Sequence, residues 1–190
     1  VDEVTMLPLV VKKLQEATSL PLMLDSTNPD ALEAALRVCC GKAVVNSVNG
    51  EQAVLDRILP IVKKYGAAVV GLTLDKAGIP QTAQARLDIA RRIVAAAESH
   101  GIPRRDIIID CLTLTASAQQ ECAAETLQAL RLVKEELGVK TALGVSNISF
   151  GLPARDAING TFFAMALTSG LSAAIMNPHS PDMMRTYHTY

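Results

Sequence analysis

The sequence has few aromatic residues, and it lacks several features that mark common classes of protein. Aromatic side chains make up 3% of the 190 residues and hydrophobic residues make up 49%, so the core must be built from aliphatic side chains. The net charge is −1, and the Lys and Arg residues form no basic stripe, which argues against a general nucleic-acid surface. This composition predicts one soluble globular domain over residues 1–190.

Membrane spans and secretion signals are also missing. No run of about 18 uninterrupted apolar residues occurs. The first residues, VDEVTMLPLVVKKLQ, have acidic side chains where a signal peptide has basic ones. Four cysteines without a CxxC spacing are too few for a disulfide scaffold, so reduced thiols are expected at Cys39, Cys40, Cys111 and Cys122. The sequence therefore predicts a cytoplasmic protein with no membrane anchor.

A short apolar run that ends in Asp, Asn or Ser and leads into an amphipathic helix occurs six times. The runs are LPLMLDS, AVVNS, VVGLTLD, IIIDC, TALGVSN and AAIMNP. This repeat is typical of βα units in a parallel sheet, where side chains at the carboxyl ends of the strands form the site. Function is therefore expected at Asp25, Asn46, Asp75, Asp110, Asn147 and Asn177.

Helical periodicity and end signals separate these strands. Asn28 and Pro29 open a helix that Gly41 closes. The other predicted helices cover about 4–17, 50–65, 81–99, 117–137 and 153–170. No G-x-G-x-x-G occurs, so the pattern favours a TIM (β/α)8 barrel over a doubly wound sheet. Only six strands are found and the first helix has no strand before it, which predicts a fragment truncated to about six βα units, with the first two strands absent.

The side chains at the strand ends suit a flat, polar heterocycle. Carboxylates and amides predominate, and no His or Lys lies among them to serve as a base or nucleophile. A buried carboxylate can accept two parallel N–H bonds from an amidine-like edge, such as pterin N3 and the 2-amino group. Two other interpretations stay open at this point: the Asp and Asn residues can cap the helices that follow, or they can hold Mg²⁺.

Five motifs carry a resemblance to a known family. They are LDSTNPDALEAAL, VVNSVNGE, VGLTLDKAGIP, IIIDCLTL and GVSNISFGLPARDAIN. In this order and spacing they resemble the pterin-binding methyltetrahydrofolate:corrinoid methyltransferases, which include the folate domain of cobalamin-dependent methionine synthase and free-standing methyltransferases that serve corrinoid proteins. The resemblance spans nearly the whole chain. It implies an enzyme of one-carbon metabolism that moves a methyl group between N5 of methyltetrahydrofolate and the cobalt of a corrinoid protein.

The resemblance also implies roles for five residues. Asp25, Asn46 and Asp110 match positions that hydrogen-bond the pterin, and Arg155 matches an Arg near it. Asn147 matches a mobile Asn that reaches N5, and it is the predicted catalytic residue because its carbonyl oxygen can stabilise protonated N5; solvent or a water network supplies the proton. No metal is expected in the domain itself, since the partner carries the cobalamin. Free-standing relatives are commonly homodimers, so a homodimer is expected.

Two alternatives to a methyltransferase remain. An inactive folate-binding fragment would bind methyltetrahydrofolate without turnover. Dihydropteroate synthase, a more distant relative on the same barrel, is disfavoured because the Lys and the phosphate-binding residues of its condensing site are not found.

Overall fold

A computed structural model describes residues 2–118 and 121–190, which form seven α-helices and six β-strands. The helices are α1 (Glu3–Ala17), α2 (Pro29–Val38), α3 (Gln52–Tyr65), α4 (Ala83–Ser99), α5 (Cys122–Leu132), α6 (Arg155–Thr168) and α7 (Pro181–Thr189). The strands are β1 (Met23–Asp25), β2 (Val44–Asn49), β3 (Ala68–Leu72), β4 (Ile107–Asp110), β5 (Lys140–Gly144) and β6 (Ala173–Ile175).

The strand order of the sheet follows the chain, β1-β2-β3-β4-β5-β6. Strand β2 pairs in parallel with both β1 and β3, and β5 pairs in parallel with β6. A doubly wound sheet reverses its strand order part-way across, whereas the strands of a (β/α)8 barrel follow one another in sequence. The α/β class and the barrel-type succession of six βα strands are therefore confirmed.

The chain divides into two compact units. The first comprises Val1–Leu72 and Arg92–Ile108, and the second comprises Thr73–Arg91 and Ile109–Tyr190. Both α4 and β4 contribute residues to each unit. The single domain over residues 1–190 stays a prediction. Among the residues that the structure describes, every helix falls short of the length and apolar character that a bilayer crossing requires.

In the first unit, local signals explain where the helices begin and end. The Asn28 side chain accepts a hydrogen bond from Asp30 N at 3.0 Å and Pro29 occupies the first turn of α2, as predicted. The helix ends at Val38, however, and not at the predicted Gly41, because Cys39 already has an extended backbone. Gly66 ends α3 with a φ of +65°, a conformation that glycine adopts without a steric penalty.

In the second unit, two elements differ from the prediction. The helix expected over about 117–137 begins at Cys122 and ends in a π-helical turn, Val133–Leu137; its positions 119 and 120 lie outside the described residues. Strand β5 ends at Gly144, whereas the apolar run TALGVS predicted a strand that continues beyond it. A 3₁₀ helix, Val145–Ser149, follows directly. This short helix carries Asn147, so the difference affects the candidate site.

Candidate functional site

Two of the predicted site residues, Asp25 and Asn46, lie on neighbouring strands of the first unit. They are register partners in the parallel pair β1–β2, and Ser26 N donates to Asn46 O at 3.1 Å. Leu24 is buried whereas Asp25 is exposed, so successive side chains of β1 point to opposite faces. Partners in a parallel register lie on the same face about 4.8 Å apart. The structure thus places this carboxylate and this amide side by side.

Asn46 does not end its strand. Strand β2 continues to Asn49, and its pairing with β3 shifts register between Asn46 and Val48. The Asn46–Ser47 peptide bond is cis. The predicted strand AVVNS, which ends at Ser47, is therefore two residues short at this end, because a register shift breaks the two-residue alternation on which a strand prediction relies. The Asn46 side chain is half-buried and forms no hydrogen bond with the described residues.

Asp110 ends β4 in the second unit and is 6% exposed. Leu112 N donates to its Oδ1 at 2.8 Å. Burial raises the pKa of this carboxyl to about 6, and the Leu112 bond opposes the rise because it stabilises the charged form. Thr73 holds the backbone here, since its N and Oγ1 donate to the Asp110 carbonyl at 3.0 and 3.2 Å. No described residue donates to Oδ2, so that oxygen is free to accept hydrogen bonds from a ligand.

Asn147 is exposed at the middle of the 3₁₀ helix after β5. Its carbonyl accepts from Phe150 N at 3.2 Å, which closes the turn. Its side chain lies against Gly144: a Cβ added at that glycine would lie 3.0 Å from Asn147 Nδ2. The missing side chain at position 144 therefore leaves the space that the Asn147 amide uses.

Arg155, in the first turn of α6, folds back onto the segment that carries Asn147. Its Nε donates to Ser149 Oγ at 3.0 Å and its Nη2 donates to Ser146 O at 3.1 Å. The guanidinium also lies 5.7 Å from the centre of the Phe150 ring, within the range of a cation–π contact. Arg155 thus braces the Asn147 segment, a role for which the motif GLPAR gives no signal.

The Phe150 backbone is fixed from the loop after β4. Its carbonyl oxygen accepts from Thr115 Oγ1 at 2.8 Å and from Ser117 Oγ at 3.0 Å. Ala116 N also donates to Ile148 O at 3.0 Å. The Phe150 side chain itself is 67% exposed. The backbone of this residue is held in place while its ring faces solvent.

The remaining two residues predicted at strand ends, Asp75 and Asn177, lie beyond the ends of β3 and β6 and form local turns. Asp75 Oδ1 accepts from Ala77 N, and Asn177 Oδ1 accepts from His179 N, each at 3.0 Å. Bonds from a side chain to the backbone two residues further on are Asx turns, which shape loops. Both positions therefore have a structural account that requires no ligand.

Arg86 was missed by the sequence analysis. It is 0% exposed, and it donates to the carbonyls of Pro80, Cys111 and Leu112. One signal was available: Arg86 lies on the apolar face of α4, among residues that recur at helical spacing. They are Ala83, Leu87, Ala90, Ile93, Val94 and Ala97. A charged residue in such a series is buried, and it then needs hydrogen-bond partners.

The cysteines and the acidic residues provide no further site. All four thiols are free, and burial strongly raises the pKa of the Cys111 thiol, which keeps it protonated and unreactive. Within residues 2–118 and 121–190, no group of three His, Cys, Asp or Glu side chains is placed to hold a metal ion. An apolar cavity of about 280 Å³ lies against α6 and α7, and none of the five predicted site residues lines it.

Comparison with known proteins identifies the family. The model of the pterin binding enzyme family matches residues 1–177. The chain is 38% identical to methionine synthase of Mycobacterium leprae over 87% of its length, and 36% identical to that of Mycobacterium tuberculosis over 93%. It is 32% identical over 90% of its length to a methylcorrinoid:tetrahydrofolate methyltransferase of Eubacterium limosum. The chain therefore belongs to the pterin-binding enzyme family, which confirms the resemblance drawn from its motifs.

The relatives are longer than this chain. It spans 15% and 16% of the two methionine synthases and 64% of the Eubacterium enzyme. Among solved structures, dihydropteroate synthases of Xanthomonas albilineans and Clostridium difficile match with TM-scores of 0.72 and 0.73 at 22% and 18% identity. These matches cover 96% and 100% of this chain and 70% and 74% of theirs. At such low identity they show the shared fold.

Proposed function

We propose that this chain binds methyltetrahydrofolate and forms the folate-binding part of a methyltransferase that moves a methyl group between folate N5 and the cobalt of a corrinoid protein. The observation that carries the proposal is the 32–38% identity to methionine synthases and to a methylcorrinoid:tetrahydrofolate methyltransferase. Homodimer formation, which the resemblance implies, and a cytoplasmic location, which the cysteine spacing and the first residues predict, stay predictions.

Asp110 is proposed as the main pterin ligand, with Asp25 and Asn46 as further hydrogen-bond partners. Its carboxyl is almost fully buried, and only Oδ1 is bonded within the described chain. A buried carboxylate without a charged partner gains strongly from paired N–H donors. N3 and the 2-amino group of a pterin offer such a pair. Binding should therefore depend on the ionised form of Asp110.

Asn147 is proposed to act on N5. A methyl group on a tertiary amine is a poor electrophile, because the departing folate would carry a negative charge unless N5 gains a proton. The side-chain Oδ1 of Asn147 can accept a hydrogen bond from protonated N5 and so stabilise it, although an amide cannot supply that proton at neutral pH. The exposed position of Asn147 suits contact with a ligand. A corrinoid, held by its own protein, supplies the cobalt that exchanges the methyl group.

Arg155 is proposed to contribute through the order of the segment that carries Asn147. Two of its nitrogens donate to that segment, at Ser149 and Ser146. Loss of these bonds should increase the mobility of the segment that carries Asn147. This role is compatible with the expected position of Arg155 near the pterin.

The test is titration of methyltetrahydrofolate into the chain, followed by single-turnover transfer to cob(I)alamin monitored by absorbance. Binding with transfer supports the proposal, and binding without transfer supports a folate-binding fragment. Formation of dihydropteroate from a pterin pyrophosphate and p-aminobenzoate would instead indicate a synthase. Asp110→Asn should weaken this binding. Asp30→Asn provides the charge-matched control, because Asp30 is exposed in the first turn of α2 and its replacement should not affect binding.

A further inference from the structure

Arg86 is a fully buried cation whose hydrogen bonds converge on the backbone beside Asp110. Its Nε donates to Pro80 O at 2.9 Å, and its Nη1 lies 3.0 Å from both Cys111 O and Leu112 O. Nη1 also lies 2.9 Å from Thr126 Oγ1. Burial lowers the pKa of the guanidinium, but an Arg stays charged at neutral pH. Burying a charge in the protein interior is costly. This cost indicates that the backbone held by Arg86 has a role beyond packing.

The backbone that Arg86 holds is strained. Leu112 has a φ of +62°, in the left-handed region that side-chain-bearing residues rarely adopt. In this conformation Leu112 N donates to Asp110 Oδ1 while Leu112 O faces Arg86 and Thr126 Oγ1, at 3.0 and 3.1 Å. The two bonds to the carbonyl stabilise the conformation that aims the N–H at the carboxylate. Strain of this kind persists only where the surroundings fix it.

We propose that Arg86 is a positioning residue for Asp110: by holding Leu112 in its left-handed conformation, it orients the carboxylate and leaves Oδ2 available to the ligand. The identity of the ligand rests on the proposed function. The effect of Arg86 on the Asp110 carboxylate does not. The guanidinium does not touch the carboxylate. It acts through one residue, from the Leu112 carbonyl across the Leu112 α-carbon to the Leu112 N–H.

The first arm of the test needs no ligand. The Asp110 carboxyl is titrated by ¹³C NMR in the parent chain and in Arg86→Lys, where one ammonium group cannot reach the three carbonyls together. The Cys111 thiol is a titratable neighbour of Asp110, and Arg86 itself faces the Cys111 and Cys122 thiols and Glu125. Loss of the Leu112 bond should raise the pKa of Asp110 by about half a unit or more. An unchanged titration would overturn the inference, whatever the chain binds.

The second arm is a double-mutant cycle on methyltetrahydrofolate affinity. Arg86→Lys should raise the dissociation constant about tenfold when Asp110 is present, and less than about twofold when Asp110 is already Asn. Equal effects in both backgrounds would mean that Arg86 is a general support of the core. A parent chain that binds no folate would instead overturn the proposed function, and the NMR arm would still decide the role of Arg86.

Two further variants separate the effect on Leu112 from a general loss of folding. Leu112→Gly adopts the left-handed conformation without strain, so it should bind folate like the parent chain while Arg86 is present. If Arg86→Lys fails to fold, Thr126→Val removes the hydroxyl that lies near Arg86 Nη1 and near the carbonyls of Leu112 and Cys122. It should shift the Asp110 titration in the same direction by a smaller amount, and an unchanged titration would overturn the inference.

Discussion

Replacement of Asp110 by Asn is expected to stabilise the folded chain while it weakens folate binding. Burial raises the pKa of this carboxyl from 3.8 to about 6. Because one pKa unit corresponds to about 1.4 kcal/mol, ionised Asp110 costs the folded state about 3 kcal/mol relative to the unfolded chain. The amide carries no charge, and its oxygen can still accept the Leu112 N–H bond. The variant therefore avoids the cost and keeps the local contact.

The sign of the effect sets its pH dependence. The folded pKa lies above the unfolded one, so the cost is fully present above about pH 6 and declines as the pH falls towards 3.8, where both states bind the proton. Urea unfolding should give Asp110→Asn a free energy of unfolding higher than that of the parent by about 3 kcal/mol at pH 8 and by about 1.5 kcal/mol at pH 5. Folate affinity of the parent should fall below about pH 6, as the carboxylate is lost.

Glu98→Gln is an internal control in which the free energy of unfolding should change in the opposite direction. The hydrogen bond from Arg104 lowers the pKa of Glu98, so this variant should lose stability at neutral pH, and its deficit should shrink in acid. The burial argument for Asp110 is refuted if Asp110→Asn is no more stable than the parent at pH 8. It is equally refuted if the advantage is the same at both pH values.

Three further predictions concern the segment after β5. Asn147→Ala should slow methyl transfer to cob(I)alamin at least about 100-fold while folate affinity changes less than about tenfold; equal losses would exclude a role in the transition state. Gly144→Ala should displace the Asn147 amide, since the new Cβ would lie 3.0 Å from Nδ2, and single-turnover transfer should slow about tenfold without a matching loss of stability. Arg155→Lys should speed amide hydrogen exchange at Phe150 about tenfold, with the Leu171 amide, in the turn after α6, as the unaffected control; unchanged exchange at Phe150 would show that Arg155 does not brace the segment.

The sequence predicted the repeating architecture and failed where the backbone becomes irregular. Apolar runs and the cap at Asn28 depend on local residue types, and the structure places α2 and β4 accordingly. The 3₁₀ helix after Gly144 was not predictable, because β-branched Val145 extends the apolar run and the contacts that hold the segment come from Arg155, outside that run. The register shift after Asn46 escaped for the same reason.

The candidate site divides in the same way. Asp110 was predictable because an acidic residue directly after a run of β-branched residues, as in IIID, is a local sequence pattern. The left-handed Leu112 was not, since leucine ordinarily avoids this region, and the groups that contact its carbonyl, Arg86 and Thr126, lie 26 residues before it and 14 residues after it in the chain. Residues that support a site through distant hydrogen bonds leave little trace in local sequence.

The shared carbonyl of Phe150 has a consequence for the lifetime of a bound ligand. Hydroxyls of Thr115 and Ser117 both bond to this one oxygen, and together with the bond from Ala116 N to Ile148 O they connect the loop after β4 to the Asn147 segment. If release of a folate held by Asn147 requires this connection to open, the two hydroxyl bonds, at about 1 kcal/mol each, would lengthen its residence time by about 30-fold. Two small hydroxyl groups that take no part in the chemistry would then govern how long the ligand stays bound.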